Sequence, residues 1–343
     1  MSATVAVAGA GVTGLSAAWE LSQAGATVVV LDAIRRPGGM VVTERPGGKD
    51  GFVVEGGPDG FLAAEPDIQE LAREAGIGGR LVDQVTSGSS LWTGRRLEPL
   101  AEGQAAALLG IQGVTHSAID CGFRSFATGM ADLVEALVGR LTSVIRPAQG
   151  VTGLAPAARG WRLSLTGGST LEAEAVILAL PAWIAARLVA AAGVPAARRL
   201  DDVIYYPTTT VSLAYHGDQL TTPLAGTGFV SAPQWGEEGG AVRACSYSWL
   251  KYPVARRPAT PCCGRSSVRW MATPPRPLTQ SWFPSSGSAA ARCGVARSPG
   301  RGACRVTSRG TPGTWPRCGS VWPGCPRWRS RARGSMGREC RRA

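Results

Sequence analysis

The most constraining feature of this chain is a glycine-rich turn close to its first residue. An apolar run over residues 4–8 leads into Gly9, Gly11 and Gly14; a helical stretch and a second apolar run, which ends at Asp32, follow. Glycines at these positions allow a tight turn, a close approach of the backbone to a pyrophosphate, and close packing of the helix on the strand. The positive end of that helix faces the phosphates. The pattern predicts a β-α-β unit that binds a dinucleotide.

The acidic residue that closes this unit indicates how the nucleotide is held. Asp32 lies 18 residues beyond Gly14, where an acidic side chain can accept hydrogen bonds from ribose hydroxyls. A glycine-rich turn without a ligand is the alternative interpretation. The position of the glycines between strand and helix, followed by a spaced acid, favours dinucleotide binding.

Two further glycine clusters follow the second apolar run. The segment IRRPGGMVVT carries Arg36, Gly38 and Gly39, and the segment GFVVEGGPDGFL carries Gly57 and Pro58. Each pair of glycines, taken singly, is equally consistent with an ordinary loop. In this order and spacing, the RxGG and GGPxxF segments resemble those of the FAD-dependent amine oxidase and protoporphyrinogen oxidase superfamily.

The resemblance implies FAD as the cofactor and assigns roles to particular residues. In the family, an acid at the position of Asp32, usually Glu, holds the adenosine ribose, and the RxGG and GGP segments wrap the pyrophosphate and the flavin. A valine at the position of Val151 meets the adenine ring, although plain strand core is equally consistent with this residue. The implied cofactor-binding residues are Gly9, Ala10, Gly11, Val12, Thr13, Gly14, Asp32, Ala33, Arg36, Gly38, Gly39, Gly57, Pro58 and Val151.

The rest of the first 253 residues follows the same family pattern. Apolar periodicity predicts a helix over residues 67–76 and a hairpin over residues 91–99. A strand and a helix are predicted over residues 123–141, where Thr128 replaces the first glycine of the family's Gly-Gly-Met turn. Residues 151–181 match the hairpin and the strand that follow in the family.

A second sheet is predicted after these elements. Residues 205–217 alternate between apolar and polar types, and further strands are predicted through residues 246–249, as in a half-buried antiparallel sheet. The segment SWLKYP resembles the protoporphyrinogen or coproporphyrinogen oxidase branch more than the monoamine oxidases. We therefore predict an α/β fold with a Rossmann-like FAD-binding domain, a second mixed β-sheet substrate domain and a disordered C-terminal tail.

The predicted organisation departs from the family between the hairpin and the Gly-Met turn. In the family a long, mostly helical segment there builds the substrate-binding domain and caps the flavin, whereas this chain has only residues 101–122. The predicted regions are an FAD-binding β-α-β region and hairpin (1–99), a remnant of a deleted helical substrate domain (100–122), the FAD-binding region continued (123–200), a partial mixed-sheet substrate region (201–253) and an Arg/Cys/Pro-rich tail (254–343).

The tail differs in composition from everything before it. The chain has a formal net charge of +12, but residues 254–343 contain 18 Arg, no Lys and a single acid, Glu339, so they carry +17 and residues 1–253 carry −5. The tail also holds seven of the nine cysteines. Its large apolar residues are too few to offset the conformational entropy lost on folding, which predicts disorder.

Three interpretations of the tail compete. An arginine-rich nucleic-acid arm would have Arg clustered with Lys and aromatic residues, and here these residues are scattered. A metal or disulfide module is disfavoured because the tail has no CxxC pair and no His. We favour the third, translation of a GC-rich gene in an offset frame after about residue 253, because a back-translated offset frame restores the strand-like string VLRAFV. No nucleic-acid partner is therefore expected.

The resemblance also implies a reaction. Family members of this branch oxidise protoporphyrinogen IX or coproporphyrinogen III to the porphyrin with O2 in haem biosynthesis. The cofactor carries such chemistry, so no metal site is expected, and the spacing of His116 and His216 shows no catalytic triad. No catalytic residue is assigned; Arg95 and Arg96 could pair with a substrate propionate, or they could be solvated hairpin charges.

Other functions remain open from the residues alone. These are oxidation of an amine or a polyene, a non-catalytic remnant that only binds flavin or a nucleotide, and binding of nucleic acid through the basic tail. Cys121 and Cys245 are the only cysteines before residue 254, as expected in a reducing compartment. No secretory signal is recognised. We expect a cytoplasmic protein, with peripheral membrane contact in intact relatives.

Overall fold

The computed structural model describes most of the first 252 residues and three short segments of the tail. The described residues are 4–46, 52–101, 103–109, 116–205, 209–216, 224–231, 242–252, 265–272, 293–297 and 304–308, with the backbone alone for 116, 214–216, 265–272, 293–297 and 304–308.

The strands and helices of the described residues are as follows. The strands are β1 (Thr4–Ala8), β2 (Thr27–Leu31), β3 (Thr43–Glu44), β4 (Val54–Glu55), β5 (Phe61–Leu62), β6 (Leu81–Asp83), β7 (Ser89–Trp92), β8 (Leu97–Leu100), β9 (Phe123–Phe126), β10 (Ile145–Arg146), β11 (Val151–Pro156), β12 (Trp161–Leu165), β13 (Thr170–Ala173), β14 (Ala175–Leu178), β15 (Thr209–His216), β16 (Gly228–Ser231), β17 (Val242–Ser246), β18 (Arg265–Ala272), β19 (Cys293–Arg297) and β20 (Cys304–Ser308). The helices are α1 (Val12–Gln23), α2 (Pro66–Glu74), α3 (Gln104–Leu108), α4 (His116–Asp120), α5 (Ala131–Leu141), α6 (Ala182–Ala191) and α7 (Ser248–Lys251), with 3-10 turns at Gly78–Arg80 and Pro195–Asp202.

The first sheet is parallel, with the strand order β10-β2-β1-β14. Its two central strands are apolar almost throughout because both faces of the sheet are covered. Val7 and Val30 lie on one face within a core that includes Leu15 of α1 and Leu137 of α5. The strand β10 is contributed from beyond α5, so residues far apart in sequence complete the dinucleotide fold.

The other face of this sheet packs on a three-stranded meander. Ala6 and Leu31 point to that face, where they meet Leu163 of β12 and Leu188 of α6. The meander has the order β11-β12-β13, and all its pairs are antiparallel. Successive residues of β1 and β2 thus alternate between two cores, as the period of two along a strand requires.

The second sheet has eight strands in the order β19-β20-β15-β18-β17-β16-β7-β8. Its hairpin β7–β8 pairs in parallel with β16, with Leu91 opposite Val230. The hairpin, which was predicted within the region 1–99 that begins with the FAD-binding β-α-β unit, thus lies in the second sheet. The reason is a pairing across more than 130 residues, which no local pattern in either strand encodes.

Three segments of the tail are strands of this sheet, which differs from the disorder predicted for residues 254–343. β18 lies between β15 and β17, with Trp270 opposite both Val211 and Cys245, and β20 pairs with the other edge of β15. A sheet is held by backbone hydrogen bonds, so a segment poor in large apolar residues can still complete it. The rest of the tail lies outside the described residues.

Several predicted elements are confirmed, and one is wrong. The helix predicted over residues 67–76 is α2, and the strand and helix predicted over residues 123–141 are β9 and α5. The strand predicted through residues 246–249 ends at Ser246, and a short helix, α7, follows it. There the chain turns inward, because Leu250 and Tyr252 are buried and the Thr86 hydroxyl donates to the Leu250 carbonyl.

Two short helices, α3 and α4, lie within the stretch predicted as the remnant of a helical domain, and residues 110–115 between them lie outside the described residues. Within the described ranges, none of the helices is both long enough and apolar enough to cross a bilayer.

Candidate functional site

The glycine-rich turn between β1 and α1 is shaped by close backbone contacts. A Cβ at Gly14 would lie 1.8 Å from the carbonyl oxygen of Gly9, and one at Gly9 would lie 2.3 Å from the carbonyl oxygen of Ala179. Gly11 is different, because the nearest atom to its Cβ position is the Cα of Gly39 at 3.9 Å. Packing thus demands glycine at positions 9 and 14, while the space beside Gly11 is open to a ligand.

The RxGG segment lies directly against this turn. The Gly38 N–H donates to the Ala10 carbonyl at 2.7 Å, and Gly11 and Gly38 form an isolated parallel bridge. The Val41 N–H donates back to the Gly38 carbonyl. The structure therefore brings the first two predicted glycine clusters together into one surface.

Arg36 shapes the loop in which it lies. Its guanidinium donates to the carbonyl oxygens of Pro37 at 3.0 Å, Gly39 at 2.7 Å and Val41 at 2.9 Å. A guanidinium can satisfy several acceptors at once because its donors are rigidly splayed. Arg36 consequently holds the loop in a fixed curve, and direct contact with the cofactor stays a prediction.

Asp32 ties the end of β2 to the glycine-rich turn. One carboxylate oxygen accepts from the Ala10 N–H at 2.6 Å, and the other accepts from the Ile34 N–H at 2.8 Å. A carboxylate offers about four acceptor positions, so hydroxyl donors can still bind it. Sequence reasoning predicted the ribose contact, which stays a prediction, and missed this bracing of the turn.

The GGP segment closes the other side of the RxGG loop. A Cβ at Gly57 would lie 1.8 Å from the Met40 carbonyl oxygen, and the Gly56 N–H donates to the Val42 carbonyl at 2.7 Å. Pro58 is exposed next to this contact. All three predicted clusters therefore form one continuous backbone cradle that runs from the α1 N-terminus to Pro58.

The remaining predicted residues lie around this cradle. Val12 and Thr13 open α1, and Ala33 is exposed directly after Asp32. Val151 is half-buried at the start of β11, and a Cβ on the preceding Gly150 would lie 2.7 Å from the Cβ of Ala33. Val151 thus begins its strand at the nucleoside end of the predicted site.

A polar cluster that sequence reasoning missed holds the start of α5. Glu55 accepts from the Met130 N–H at 2.8 Å and from the Thr43 hydroxyl at 2.7 Å, and the same hydroxyl oxygen accepts from the Ala131 N–H at 2.9 Å. These contacts satisfy N–H groups that a helix start leaves without partners. The only local signal was the polar Thr43 and Glu55 in two short strands.

The departure at Thr128 has a structural explanation. Its hydroxyl donates to the carboxylate of Asp132, which is 1% exposed, and Arg45 donates to that carboxylate at 3.0 Å. Arg45 also donates to the Thr128 carbonyl at 2.7 Å. The threonine that replaces the family's glycine thus donates a hydrogen bond to the buried Asp132 carboxylate in the first turn of α5.

A small cavity of about 40 Å³ lies between β4, the end of β9 and α7, and Glu55, Asp59, Ser125 and Tyr252 are among its lining residues. Burial raises the pKa of the Tyr252 hydroxyl above its ordinary value, and the Asp59 and Glu55 carboxylates raise it further. The hydroxyl therefore stays protonated, and it has no hydrogen-bond partner within the described residues.

The other candidate groups are separate from the cradle. Arg96 is exposed and pairs with Glu98 at 2.8 Å, as expected of a solvated hairpin charge. His116 begins α4 and His216 ends β15. Burial raises the pKa of the Cys245 thiol, which makes thiolate chemistry unfavourable there. The described part of the chain contains no group of three metal-ligating side chains.

Comparison with known families follows the same division of the chain. A family model for an NAD(P)-binding Rossmann-like domain matches residues 7–75, and the model for flavin-containing amine oxidoreductases matches residues 79–262. The second match spans more than half of the chain. The chain belongs to the flavin-containing amine oxidoreductase family. By family it is a flavin-dependent oxidoreductase, which confirms the predicted family and the predicted α/β fold with a Rossmann-like domain.

Similar proteins include an oxidase of the predicted branch. The chain is 36% identical to protoporphyrinogen oxidase of Bos taurus over 108 residues, which are 30% of this chain and 22% of the bovine protein. The matched stretch thus spans less than a quarter of that relative.

Solved structures resemble the chain over a greater length but at low identity. A candidate protoporphyrinogen oxidase from Exiguobacterium sp. 255-15 has a TM-score of 0.60 at 19% identity, covering 79% of this chain and 77% of that one. Reduced UDP-galactopyranose mutase has a TM-score of 0.59 at 13% identity, covering 82% and 77%. These likenesses support the fold.

Proposed function

We propose that the chain binds FAD and belongs to a lineage of enzymes that oxidise a porphyrinogen, protoporphyrinogen IX or coproporphyrinogen III, to the porphyrin with O2. The observation that carries the cofactor proposal is the continuous cradle formed by Gly11, Gly39 and Gly57. A mononucleotide or a nicotinamide dinucleotide requires only the first glycine-rich turn. The extension over the RxGG and GGP segments suits a longer ligand with a flavin at its far end.

The residues present fit such a ligand. The α1 N-terminus has no acidic residue in its first turn, so nothing there repels a pyrophosphate. The open space beside Gly11 and the positive φ of Gly39, 55°, leave room for backbone to approach the phosphates. Asp32 retains acceptor positions for ribose hydroxyls.

A bound flavin supplies the two-electron acceptor that this class of oxidation needs. The chain's own contribution is binding and placement. Arg36 holds the curve of the pyrophosphate loop, and Glu55 and Thr43 hold the α5 start beside the GGP segment. No described residue is assigned to a proton transfer.

The porphyrinogen proposal rests on two observations. The identity to the bovine protein over 108 residues exceeds that to any of the structural neighbours given above. The segment SWLKYP, which forms α7 and the residues after it, resembles the same branch. Haem biosynthesis as the pathway, O2 as the oxidant and a cytoplasmic, peripherally membrane-associated location belong to this proposal.

We also propose that turnover by this chain is impaired. Between the hairpin β7–β8 and β9 it has only residues 101–122, where the family builds the domain that covers the flavin. A less covered flavin is exposed to water and loses contacts. Weak FAD binding and slow oxidation follow.

The test uses the purified full chain. We expect the fluorescence of FAD to be quenched when the chain is titrated into it, and the cofactor released from the chain to be identified as FAD by chromatography. Supplied protoporphyrinogen or coproporphyrinogen should yield porphyrin fluorescence slowly and only with O2. Production of hydrogen peroxide from amines without any porphyrin formation would contradict the substrate. Porphyrin formation at the rate of an intact oxidase would contradict the impairment.

The offset-frame origin of residues 254–343 is tested separately, on the gene. We expect an offset frame after about codon 253 to encode a strand like VLRAFV and later a glycine-rich strand-to-helix turn. A related gene that encodes the same Arg- and Cys-rich tail in one uninterrupted frame would contradict this origin.

A further inference from the structure

The loop that follows the GGP glycines is held by three contacts from two distant parts of the chain, the RxGG loop and the end of α7. Gly57 lies against the Met40 carbonyl of the RxGG loop. Asp59 accepts from the Lys251 ammonium, and Gly60 lies against the Tyr252 hydroxyl, which would be 2.2 Å from a Cβ there. The last two contacts come from the end of α7, 192 residues further along the chain.

The ion pair at the centre of this arrangement is largely shielded from water. The Nζ of Lys251 lies 2.9 Å from Oδ2 of Asp59, and the two side chains are 13% and 24% exposed. The Ser246 hydroxyl is 3.4 Å from the same oxygen. Charge pairs in such surroundings are screened far less by salt than those on the surface.

Lys251 is itself fixed in place. Its carbonyl accepts from the Val85 N–H at 2.9 Å, and its ammonium lies 5.9 Å from the ring centre of Phe123 and 5.4 Å from that of Tyr252. Cations at such distances from aromatic faces are attracted by the ring quadrupole. The ammonium therefore offers Asp59 a fixed partner.

Tyr252 defines the other wall of this junction. It is 6% exposed, it lines the cavity beside Glu55 and Asp59, and no space remains for a side chain at position 60. Two carboxylates line this cavity, so the lysine supplies compensating positive charge. Loss of that charge would remove the Lys251 ammonium from a largely buried carboxylate, which is costly.

We propose that Lys251 is a positioning residue for the cofactor: through Asp59 it holds the Gly57–Gly60 loop against the second sheet and so fixes the flavin-binding end of the cradle. This inference rests on the proposed binding of FAD. Lys251 acts through Asp59 and need not touch the flavin.

The experiment measures FAD affinity by fluorescence titration of the full chain and of matched variants. The variants are Lys251→Met, Lys251→Arg, Asp59→Asn and the double variant Asp59→Asn/Lys251→Met. Arg162→Met is the control, because Arg162 and Glu172 form an exposed pair, 57% and 62% exposed, on the meander. Circular dichroism and thermal unfolding of each cofactor-free variant separate loss of folding from loss of binding.

We expect Lys251→Met to raise the FAD dissociation constant at least tenfold while the cofactor-free spectrum is unchanged. Lys251→Arg should stay within about threefold of wild type, because it keeps the cation. The double variant should bind better than Lys251→Met, since the side chain that loses the Lys251 ammonium is then a neutral amide. Arg162→Met should change the constant less than twofold.

Wild-type affinity in Lys251→Met would overturn the inference and leave the proposed function intact. Equal weakening in Lys251→Met and Lys251→Arg would also overturn it, since a preserved charge should rescue binding. If Lys251→Met fails to fold, Lys251→Arg and the double variant decide in the same way. Absence of FAD binding by the wild-type chain would overturn the proposed function and this inference together.

Discussion

The two sheets of this protein are built by different rules. The first is parallel and short, and its central residues Val7 and Val30 are fully buried between helices and a meander. The second has eight strands, and its described buried residues include Val230, Ala244 and Cys245, with Tyr247 and Leu250 just beyond β17. It depends on backbone pairing between distant segments, including β18 from the arginine-rich tail.

This difference shows where the sequence carries its information. In the first region, which is the parallel sheet with its glycine-rich turn, the steric demands of single glycines set the turn, so a short motif specifies the local fold. In the second region, which is the eight-stranded sheet with α7, strands pair with segments that lie far away in sequence. Substitutions should therefore act very differently in the two regions.

The largest effect is expected for Gly14→Val. A Cβ at this position would lie 1.8 Å from the Gly9 carbonyl oxygen, so backbone must move. We expect a loss of about 3 kcal/mol or more in the free energy of unfolding, together with loss of FAD binding. Gly139→Val on α5 is the control, since nothing lies within 4 Å of its Cβ position. Chemical denaturation measures the free energy of unfolding of both variants, and equal losses would contradict the steric demand for glycine at position 14.

A proline in the tail strand tests the second region. Trp270→Pro removes an N–H from β18, which lies between β15 and β17. We expect a destabilisation of about 2 kcal/mol, from one lost ladder hydrogen bond and a stranded acceptor, with FAD affinity little changed. Arg297→Pro, at the end of the outermost strand β19, should cost less. No effect of Trp270→Pro on thermal unfolding would show that β18 contributes nothing to the sheet.

An intermediate effect is expected at Asp32. Its carboxylate accepts from the Ala10 and Ile34 N–H groups, and hydrogen bonds to a charged group contribute about 1.5 kcal/mol or more. Asp32→Ala should raise the FAD dissociation constant roughly tenfold. Glu172→Ala, in an exposed pair, is the control for loss of a carboxylate. A titration with FAD that is unchanged in Asp32→Ala would refute its role.

The smallest effect concerns alkaline pH in the second region. Burial raises the pKa of Tyr247 from 10.0 to about 12, with a further rise from Cys245. Its neutral form is therefore favoured in the folded state, and the stability it contributes is present below pH 10 and lost as the pH rises towards 12. We expect wild type to lose up to about 1 kcal/mol more than Tyr247→Phe over this interval. Parallel unfolding curves at pH 9 and about pH 11 measure it, and identical losses would contradict it.

Much of the first region could be predicted from sequence because its signals are local. Glycine is required at positions 9, 14 and 57 because neighbouring backbone atoms leave no room for a Cβ. The spacing of these glycines in the sequence is therefore itself a signal of the fold. The bracing roles of Asp32 and Arg36 could not be predicted, since a backbone N–H or carbonyl partner leaves no trace in residue type.

The second region shows the limits of such reasoning. The hairpin β7–β8 was predicted but its pairing with β16 was not, and Lys251 was noticed only as part of a segment, because their partners lie far away in sequence. The low apolar content of the tail predicted disorder there, yet the backbone of Arg265–Ala272 pairs with β15 as strand β18.

The most direct test of the central claim compares FAD binding by wild type and by Gly11→Val. Gly11 has extended backbone angles, φ −72° and ψ 178°, and open space at its Cβ position, so valine fits the fold but fills the cradle. Calorimetric titration should show FAD binding by the wild-type chain, preference for FAD over NAD, and no binding by a normally folded Gly11→Val. Equal FAD affinity in the two proteins, or a preference for NAD, would contradict a flavin cradle at this site.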